Sequence, residues 1–461
     1  MEVVILAAGK GTRMYSAKPK VLHRIGNRPM LSHVLDTANR LQPDAVHVVV
    51  GYGADEVRAR YGASSAPAIS WVEQTEQLGT GHAVQQAITH IDVSSDENVV
   101  LVLFGDVPLI SLATLEALLQ HAGADTLSLL TVVAEDPTGL GRILRGESGE
   151  VQAIVEHRDA TDEQRQIREV NTGIMAIPAA KLARWLNSLS NNNDQKEYYL
   201  TDIVAMAAEE KGCRVVATQA GDENEVMGVN DKRQLALLER YHQARLIEEL
   251  LRRGVSMRDP ARVDIRGELT CGQDVDIDCN VIFEGQVILG DNVTIGANCI
   301  IRQARIGDGT QILPGTQIDE AEIGERNAIG PMARIRPGTV LKNDVRVGNF
   351  VEIKKSTLGE GSKANHLAYI GDAEIGSGCN IGAGTIFCNY DGANKHPTKV
   401  GNNVFIGSNS TLVAPLTLGE GAFVAAGSTI NAEVPGETLA VARGKQRNIE
   451  GWQRPRKQGD H

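Results

Sequence analysis

The chain is 461 residues long, room for two or three domains, and its formal net charge of −12 excludes a surface built for nucleic acid or anionic membrane, although local basic clusters can still hold phosphates. Aromatic residues make up only 4% while glycines number 48, a balance that suits an aliphatic core turned by glycine. The six cysteines (Cys213, Cys271, Cys279, Cys299, Cys379, Cys388) show no C-x-x-C pair, no apolar run approaches membrane length, and Glu2-to-Ala8 is too short for a signal peptide, so a cytoplasmic protein is expected.

The apolar run Val3-Val4-Ile5-Leu6 leads into Ala7-Ala8-Gly9-Lys10-Gly11-Thr12-Arg13-Met14, with Pro19-Lys20 soon after. Helical spacing then spans 29–41, a strand 45–50, a helix 83–91, a strand 99–104, a helix 111–121 and a strand 127–133. This alternation predicts a Rossmann-like α/β domain, a parallel sheet with helices on both faces. Ligands of such sheets sit at the carboxyl ends of the strands, where the Gly-rich loop and Gly105-Asp106 both fall. The loop lacks the third glycine of a dinucleotide fingerprint and is not a Walker loop. Its glycines let backbone N–H groups approach phosphate oxygens, flanked by Lys10, Arg13 and Lys20.

The whole string from Leu6 to Lys20 resembles the signature of the nucleoside-triphosphate sugar-1-phosphate nucleotidylyltransferases. That resemblance implies a nucleotide site on Leu6, Ala7, Ala8, Gly9 and Lys20, with Lys20 and Arg13 holding phosphates during catalysis. It implies uracil recognition by Gln74 and by Gln77 to His82, including Gly79 and Thr80. Gly141, Glu156, Asn171 and the segment Tyr198 to Asp202 would line the sugar pocket, and Asp106 and Asn230 would hold Mg²⁺. Each has a structural alternative. Thr80 suits a helix N-cap, Asp106 can cap the helix near Ser111, and Asn230 also precedes a helix.

From Asp231 to Arg253 apolar residues recur at helical spacing, and Gly254 ends the run. The expected domains are therefore residues 1–228, a connecting helix 229–254, and residues 255–461. The last is dominated by a hexad: Ile265, Cys271, Ile277, Phe283, Leu289, Ile295, Ile301, and later Val400, Ile406, Leu412, Leu418, Val424, Ile430. Units such as Val293-Thr294-Ile295-Gly296-Ala297-Asn298 combine a short strand with a turn, so stacked coils bury a continuous core. The period resembles that of a left-handed parallel β-helix of hexapeptide repeats. It slips near Ala304 and again before Ile323, and it breaks at Lys354-Lys355-Ser356, at 361–369 and at 387–398, where inserted loops are expected.

With these stretches the resemblance extends to the family of bifunctional N-acetylglucosamine-1-phosphate uridylyltransferase/glucosamine-1-phosphate N-acetyltransferases. It implies His366 as the base that takes the amine proton. Arg336, Lys354, Tyr369 and Asn380 would bind the sugar phosphate, Asn389 and Tyr390 would lie beside the amine, and Ala383, Ser408, Ala426 and Arg443 would contact acetyl-CoA. The implied substrates are glucosamine 1-phosphate, acetyl-CoA and UTP, and the implied assembly is a homotrimer. The sequence departs from the family pattern at Phe104, at Ala17-Lys18 and at Gly444-Lys445. Two rivals are a nucleotidylyltransferase whose β-helix only oligomerises, and a non-catalytic assembly subunit.

Overall fold

The computed structural model describes residues 1–62, 69–95 and 97–455. Contacts divide the chain into two compact units, Met1–Gln243 and Ala244–His461. The division falls inside the helix Lys232–Arg252, so the helix expected over 229–254 is shared between the units. Leu238 joins the core of the first unit, whereas Ile247 and Leu250 join that of the second.

In the first unit the strand Glu2–Ala7 lies parallel between Ala45–Val50 and Val99–Phe104. Ile69–Glu73 extends the sheet on one side. On the other side Glu169–Pro178 is antiparallel both to Val99–Phe104 and to Thr126–Val133, which in turn pairs in parallel with Arg214–Gln219. The sheet is thus mostly parallel with one reversed strand inside it, a strand that the alternation of elements did not reveal. The short hairpin of Arg142–Arg145 and Val151–Val155 hangs from that reversed strand. Helices cover both faces: Leu31, Val34 and Leu115 pack on one, and Val84, Leu182, Trp185 and Ile203 on the other. Strands buried on both faces are near-continuous aliphatic runs, as Val3-Val4-Ile5-Leu6 and 100–103 are.

The second unit is a parallel β-helix, and its register explains the slips. Ile277 pairs with Ile295 at a distance of eighteen residues, Ile295 with Ile312 at seventeen, Ile312 with Ile329 at seventeen and Ile329 with Val347 at eighteen. A seventeen-residue coil drops one corner residue and shifts the hexad without breaking the ladder. The breaks at 354–356 and 361–369 are of this kind and hold no inserted loop: Ile353 pairs with Ile370 and Val347 with Ala364, both at seventeen. Only the third break is an insertion, because Ile381 pairs with Ile406 at twenty-five residues. Inward aliphatics form a single column of core, with Cys299 and Cys379 buried in it. Burial pushes the Cys299 and Cys271 thiols up to about 11, and both pack as small hydrophobes, as the hexad position of Cys271 implies.

Candidate active sites

In the first unit the register sets Leu6 opposite Phe104 and Ala7 opposite Val50, so Ala8-Gly9 and Gly105-Asp106 leave the sheet along one edge. The Gly105 N–H donates to the Leu6 carbonyl at 2.9 Å. A Cβ at Gly9 would meet nothing within 4 Å, so the fold itself does not require glycine there and the space above the loop is open. Gly11 is different: it has φ +60°, and a Cβ would lie 2.8 Å from the Cβ of Lys20. Lys10 and Arg13 are exposed on this loop, while the Lys20 side chain is only 11% exposed.

The Lys20 ammonium donates to the Asp106 carboxylate and to Asn230 Oδ1 at 2.8 Å. Residues 86 and 210 positions away thus converge on one cation. The capping alternatives fall elsewhere. Ser111 caps the helix that follows Asp106, its Oγ accepting from the Thr114 N–H at 3.2 Å. Asp231 caps the helix after Asn230 by accepting from the N–H groups of Arg233 and Gln234, and Gln234 Oε1 in turn accepts from the Asn230 N–H at 2.7 Å. Both side-chain oxygens are therefore left to face a cation. A carboxylate and an amide oxygen converging on one positive charge are hard-cation ligands, and so small a set suits Mg²⁺, which keeps water and phosphate oxygens for its other positions. Among the described residues no group of three or more His, Cys, Asp or Glu forms a fuller metal cage.

The nearby loop is zipped to the segment Tyr198–Asp202. The Tyr198 N–H donates to the Leu78 carbonyl and the Gly81 N–H to the Tyr198 carbonyl, each at 2.8 Å. A Cβ at Gly79, where φ is +108°, would lie 2.6 Å from that carbonyl oxygen. Buried Gln74 gives its amide to the Gly79 carbonyl at 3.1 Å, and Gln77 gives its amide to the Gln74 carbonyl at 3.2 Å. Thr80 opens the helix after Gly79 and is not its cap; its Oγ1 accepts from the Leu200 N–H at 3.1 Å. Beyond this seam Glu156 accepts from Thr201 Oγ1 at 3.1 Å, and the Asn171 N–H donates to the Gly141 carbonyl at 2.8 Å. Burial pushes the Glu156 carboxyl up, and Asp159, Asp202 and Glu197 add to it. Phe104 lies against Gly173, where a Cβ would come within 2.5 Å of the ring.

On the β-helix the candidate residues follow the coils. Asn349 pairs with His366 one coil on, and its Oδ1 lies 2.9 Å from His366 Nδ1. With Nδ1–H donated to that amide oxygen, Nε2 of the exposed ring keeps its lone pair for a proton. Above His366 the same corner climbs in steps: the Gly384 N–H faces the His366 carbonyl, the Asn409 N–H the Ala383 carbonyl, and the Gly427 N–H the Ser408 carbonyl. Arg443 Nη1 then donates to the Ala426 carbonyl at 2.7 Å. Ala383, Ser408, Ala426 and Arg443 thus form one vertical strip, lined by small side chains, that begins above His366.

A second cluster gathers at the next corner. Arg336 donates to Glu352 at 2.6 Å, and Lys355 stands 3.7 Å from Asp372. Lys395, ahead of desolvation and Arg336, pushes Lys354 below the usual lysine range. Three cations thus face one another. Lys395 lies in the one true insertion, where sequence reasoning missed it, as it missed Asn349. Coil arithmetic finds the latter, since 349 and 366 are one coil apart. Asn389 ties the insertion down by donating to Asp372 at 2.5 Å, and the Tyr390 hydroxyl donates to the Gly392 carbonyl at 2.5 Å. Tyr369 sits on the Arg336–Lys354 sheet, but Asn380 does not: it pairs with Lys363 and Phe405 on the other sheet. Among the described residues no hydrogen bond joins His366 to the cation cluster.

Comparison with known proteins follows this division. Residues 3–171 match the MobA-like NTP transferase domain, residues 265–351 the GMPPB C-terminal domain, and residues 397–432 the bacterial transferase hexapeptide (six repeats). The bifunctional protein GlmU of Stutzerimonas stutzeri is 54% identical over 457 residues, 99% of each chain. That of Azoarcus sp. is 54% identical over 458 residues, 99% of this chain and 100% of the relative. The matched stretch spans both units, and the chain belongs to the family of the bifunctional GlmU proteins.

Proposed function

We propose that the chain makes UDP-N-acetylglucosamine in two steps, one in each unit. On the β-helix, acetyl-CoA and glucosamine 1-phosphate give N-acetylglucosamine 1-phosphate. His366 Nε2 takes a proton from the amine as nitrogen attacks the thioester carbon; the C–S bond breaks, and the CoA thiolate leaves and is protonated. Asn349 fixes the tautomer of the ring. Arg336, Lys354 and Lys395 hold the phosphate, whose charge relieves their mutual repulsion, with Tyr369, Asn389 and Tyr390 around the sugar. The strip of Ala383, Ser408, Ala426 and Arg443 takes acetyl-CoA, its small residues letting the extended cofactor lie against the backbone.

In the first unit the phosphate oxygen of that product attacks the α-phosphorus of UTP and pyrophosphate leaves. The loop from Leu6 to Gly9 lies along the triphosphate, Arg13 and Lys20 neutralise it, and the loop of Gln74, Gly79 and Thr80 reads the base. Gly141, Glu156 and Asn171 orient the sugar. Mg²⁺ held by Asp106 and Asn230 would supply charge neutralisation at the phosphates. Positioning and electrostatics account for such a transfer without covalent work by the protein.

The observation that carries this reading is the meeting of Lys20, Asp106 and Asn230 beneath an open glycine loop at the strand ends. A purely structural β-helix needs no cation cluster of Arg336, Lys354 and Lys395, and a scaffold needs no part-buried Lys20. One incubation with glucosamine 1-phosphate, acetyl-CoA, UTP and Mg²⁺, analysed for free thiol and pyrophosphate, tests it. Both products are expected. Pyrophosphate without thiol, from ready-acetylated sugar phosphate, would leave the β-helix as an oligomerising module only. A homotrimer in the cytoplasm completes the reading. The trimer is supported by the stacked parallel coils and by the outward apolar residues Met332, Phe350, Leu367, Phe405 and Phe423, the last two stacked at 4.4 Å. Sedimentation at equilibrium tests it.

A further inference from the structure

His23 has no part in the chemistry above, yet its ring is buried beside the phosphate loop and its Nε2 has no partner. The turn does not need the imidazole, because its backbone is already fixed. The His23 N–H donates to the Lys20 carbonyl at 3.1 Å, and the His23 carbonyl accepts from Met30 at 2.8 Å. A leucine would fill the space without burying an orphaned nitrogen. What the ring does offer is Nδ1, which lies 3.1 Å from the Lys232 ammonium. Burial, with Lys232 and Lys18 beside it, holds His23 below the usual histidine range, so the ring stays neutral and accepts.

Lys232 opens its helix two residues after Asn230, and Asn230 in turn accepts from Lys20. The connections close a ring: Lys20 to Asn230 through the side chains, Asn230 to Lys232 along the chain, Lys232 to His23 through the ring nitrogen, and His23 back to Lys20 through the backbone. We propose that His23 and Lys232 form a latch that fixes Asn230 opposite Lys20 and Asp106, so that His23 is a positioning residue for the cation site of uridylyl transfer. The proposal rests on the reading of that site given above.

The test is Mn²⁺ binding in the presence of UTP, followed by electron paramagnetic resonance without sugar phosphate so that no turnover occurs. It is paired with the Mg²⁺ concentration that half-saturates uridylyl transfer. Lys232→Met and His23→Leu are expected to weaken Mn²⁺ binding about tenfold, the size typical of losing an outer-shell partner. The double variant should bind no more weakly than the worse single one. His23→Asn keeps an acceptor near the Nδ1 position and should bind like the unaltered chain, and it carries the test if His23→Leu does not fold. Unchanged binding in Lys232→Met, additive losses in the double variant, or an Asn variant with the full loss would each overturn the latch. If the unaltered chain with UTP binds no Mn²⁺, the metal reading falls first and the latch falls with it.

Discussion

The two units place their candidate site residues by opposite means. In the first, Lys20, Asp106 and Asn230 meet only because three parallel strands end at one edge and a distant helix begins there. In the second, a residue's neighbour is found one coil on: Asn349 under His366, and Ser408 under Ala426. Position along the β-helix is thus a spatial coordinate, whereas in the sheet unit it is not. A solenoid contacts mainly its adjacent repeats, so a change there should stay local, while a change at the sheet edge should disturb several elements at once.

The sharpest way to break this comparison is to disable one centre at a time. His366→Ala should lower acetyl transfer by roughly 10²–10⁴-fold, the range for loss of a general base, and leave uridylyl transfer from ready-acetylated substrate unchanged. Thiol release and pyrophosphate release, measured on one sample, check both halves. Asp106→Ala should do the reverse, costing uridylyl transfer about 10²–10³-fold, as removal of one electrostatic stabiliser does. Loss of both reactions in either variant would mean that the two centres are not independent. A smaller effect is expected from Lys395→Met. Removing one charged donor to a phosphate costs about 1.5–3 kcal/mol, so KM for glucosamine 1-phosphate should rise about tenfold or more. The same change should let Lys354 return toward the ordinary lysine range, because Lys395 is the main cause of its depression. An unchanged KM would remove Lys395 from the phosphate site.

The same contrast governs how much was legible in the sequence. The hexad gave the β-helix and its core outright, since each coil repeats a local rule. One-residue contractions were mistaken for insertions at 354–356 and 361–369, because a broken period looks alike whether a residue is lost or a loop is gained; only the ladder separates them. In the sheet unit the glycine loop and the alternation of elements pointed to the strand ends, where Lys20, Asp106 and Asn230 do meet. The reversed strand Glu169–Pro178 was invisible, as strand direction depends on pairing and not on residue pattern. Asn230 and Asp231 are equally good caps by type, and only the hydrogen bonds assign the cap to Asp231 and leave Asn230 to face Lys20. Asn380 shows the limit of carrying over residues one by one. It stands on a different sheet from Arg336 and Lys354, so within one chain it does not join them.

The gentlest probe concerns Glu156, where the sheet unit holds a carboxyl against its preference. Burial, joined by Asp159, Asp202 and Glu197, raises its pKa in the folded chain. A carboxyl raised on folding binds more protons folded than unfolded, so its contribution to stability is fully present below the unfolded value of about 4.3 and is lost as pH rises through the folded value. Glu156→Gln removes the ionisation and keeps an oxygen to accept from Thr201. The variant should therefore gain stability relative to the unaltered chain as pH rises from about 4 to 7, read as a widening difference in the melting temperature of the sheet unit. The β-helix has no counterpart at this position, and its own melting should not follow the change. A difference that stays flat with pH would show that Glu156 is better solvated than its burial implies, and that the proposed sugar pocket is already open to water before substrate arrives.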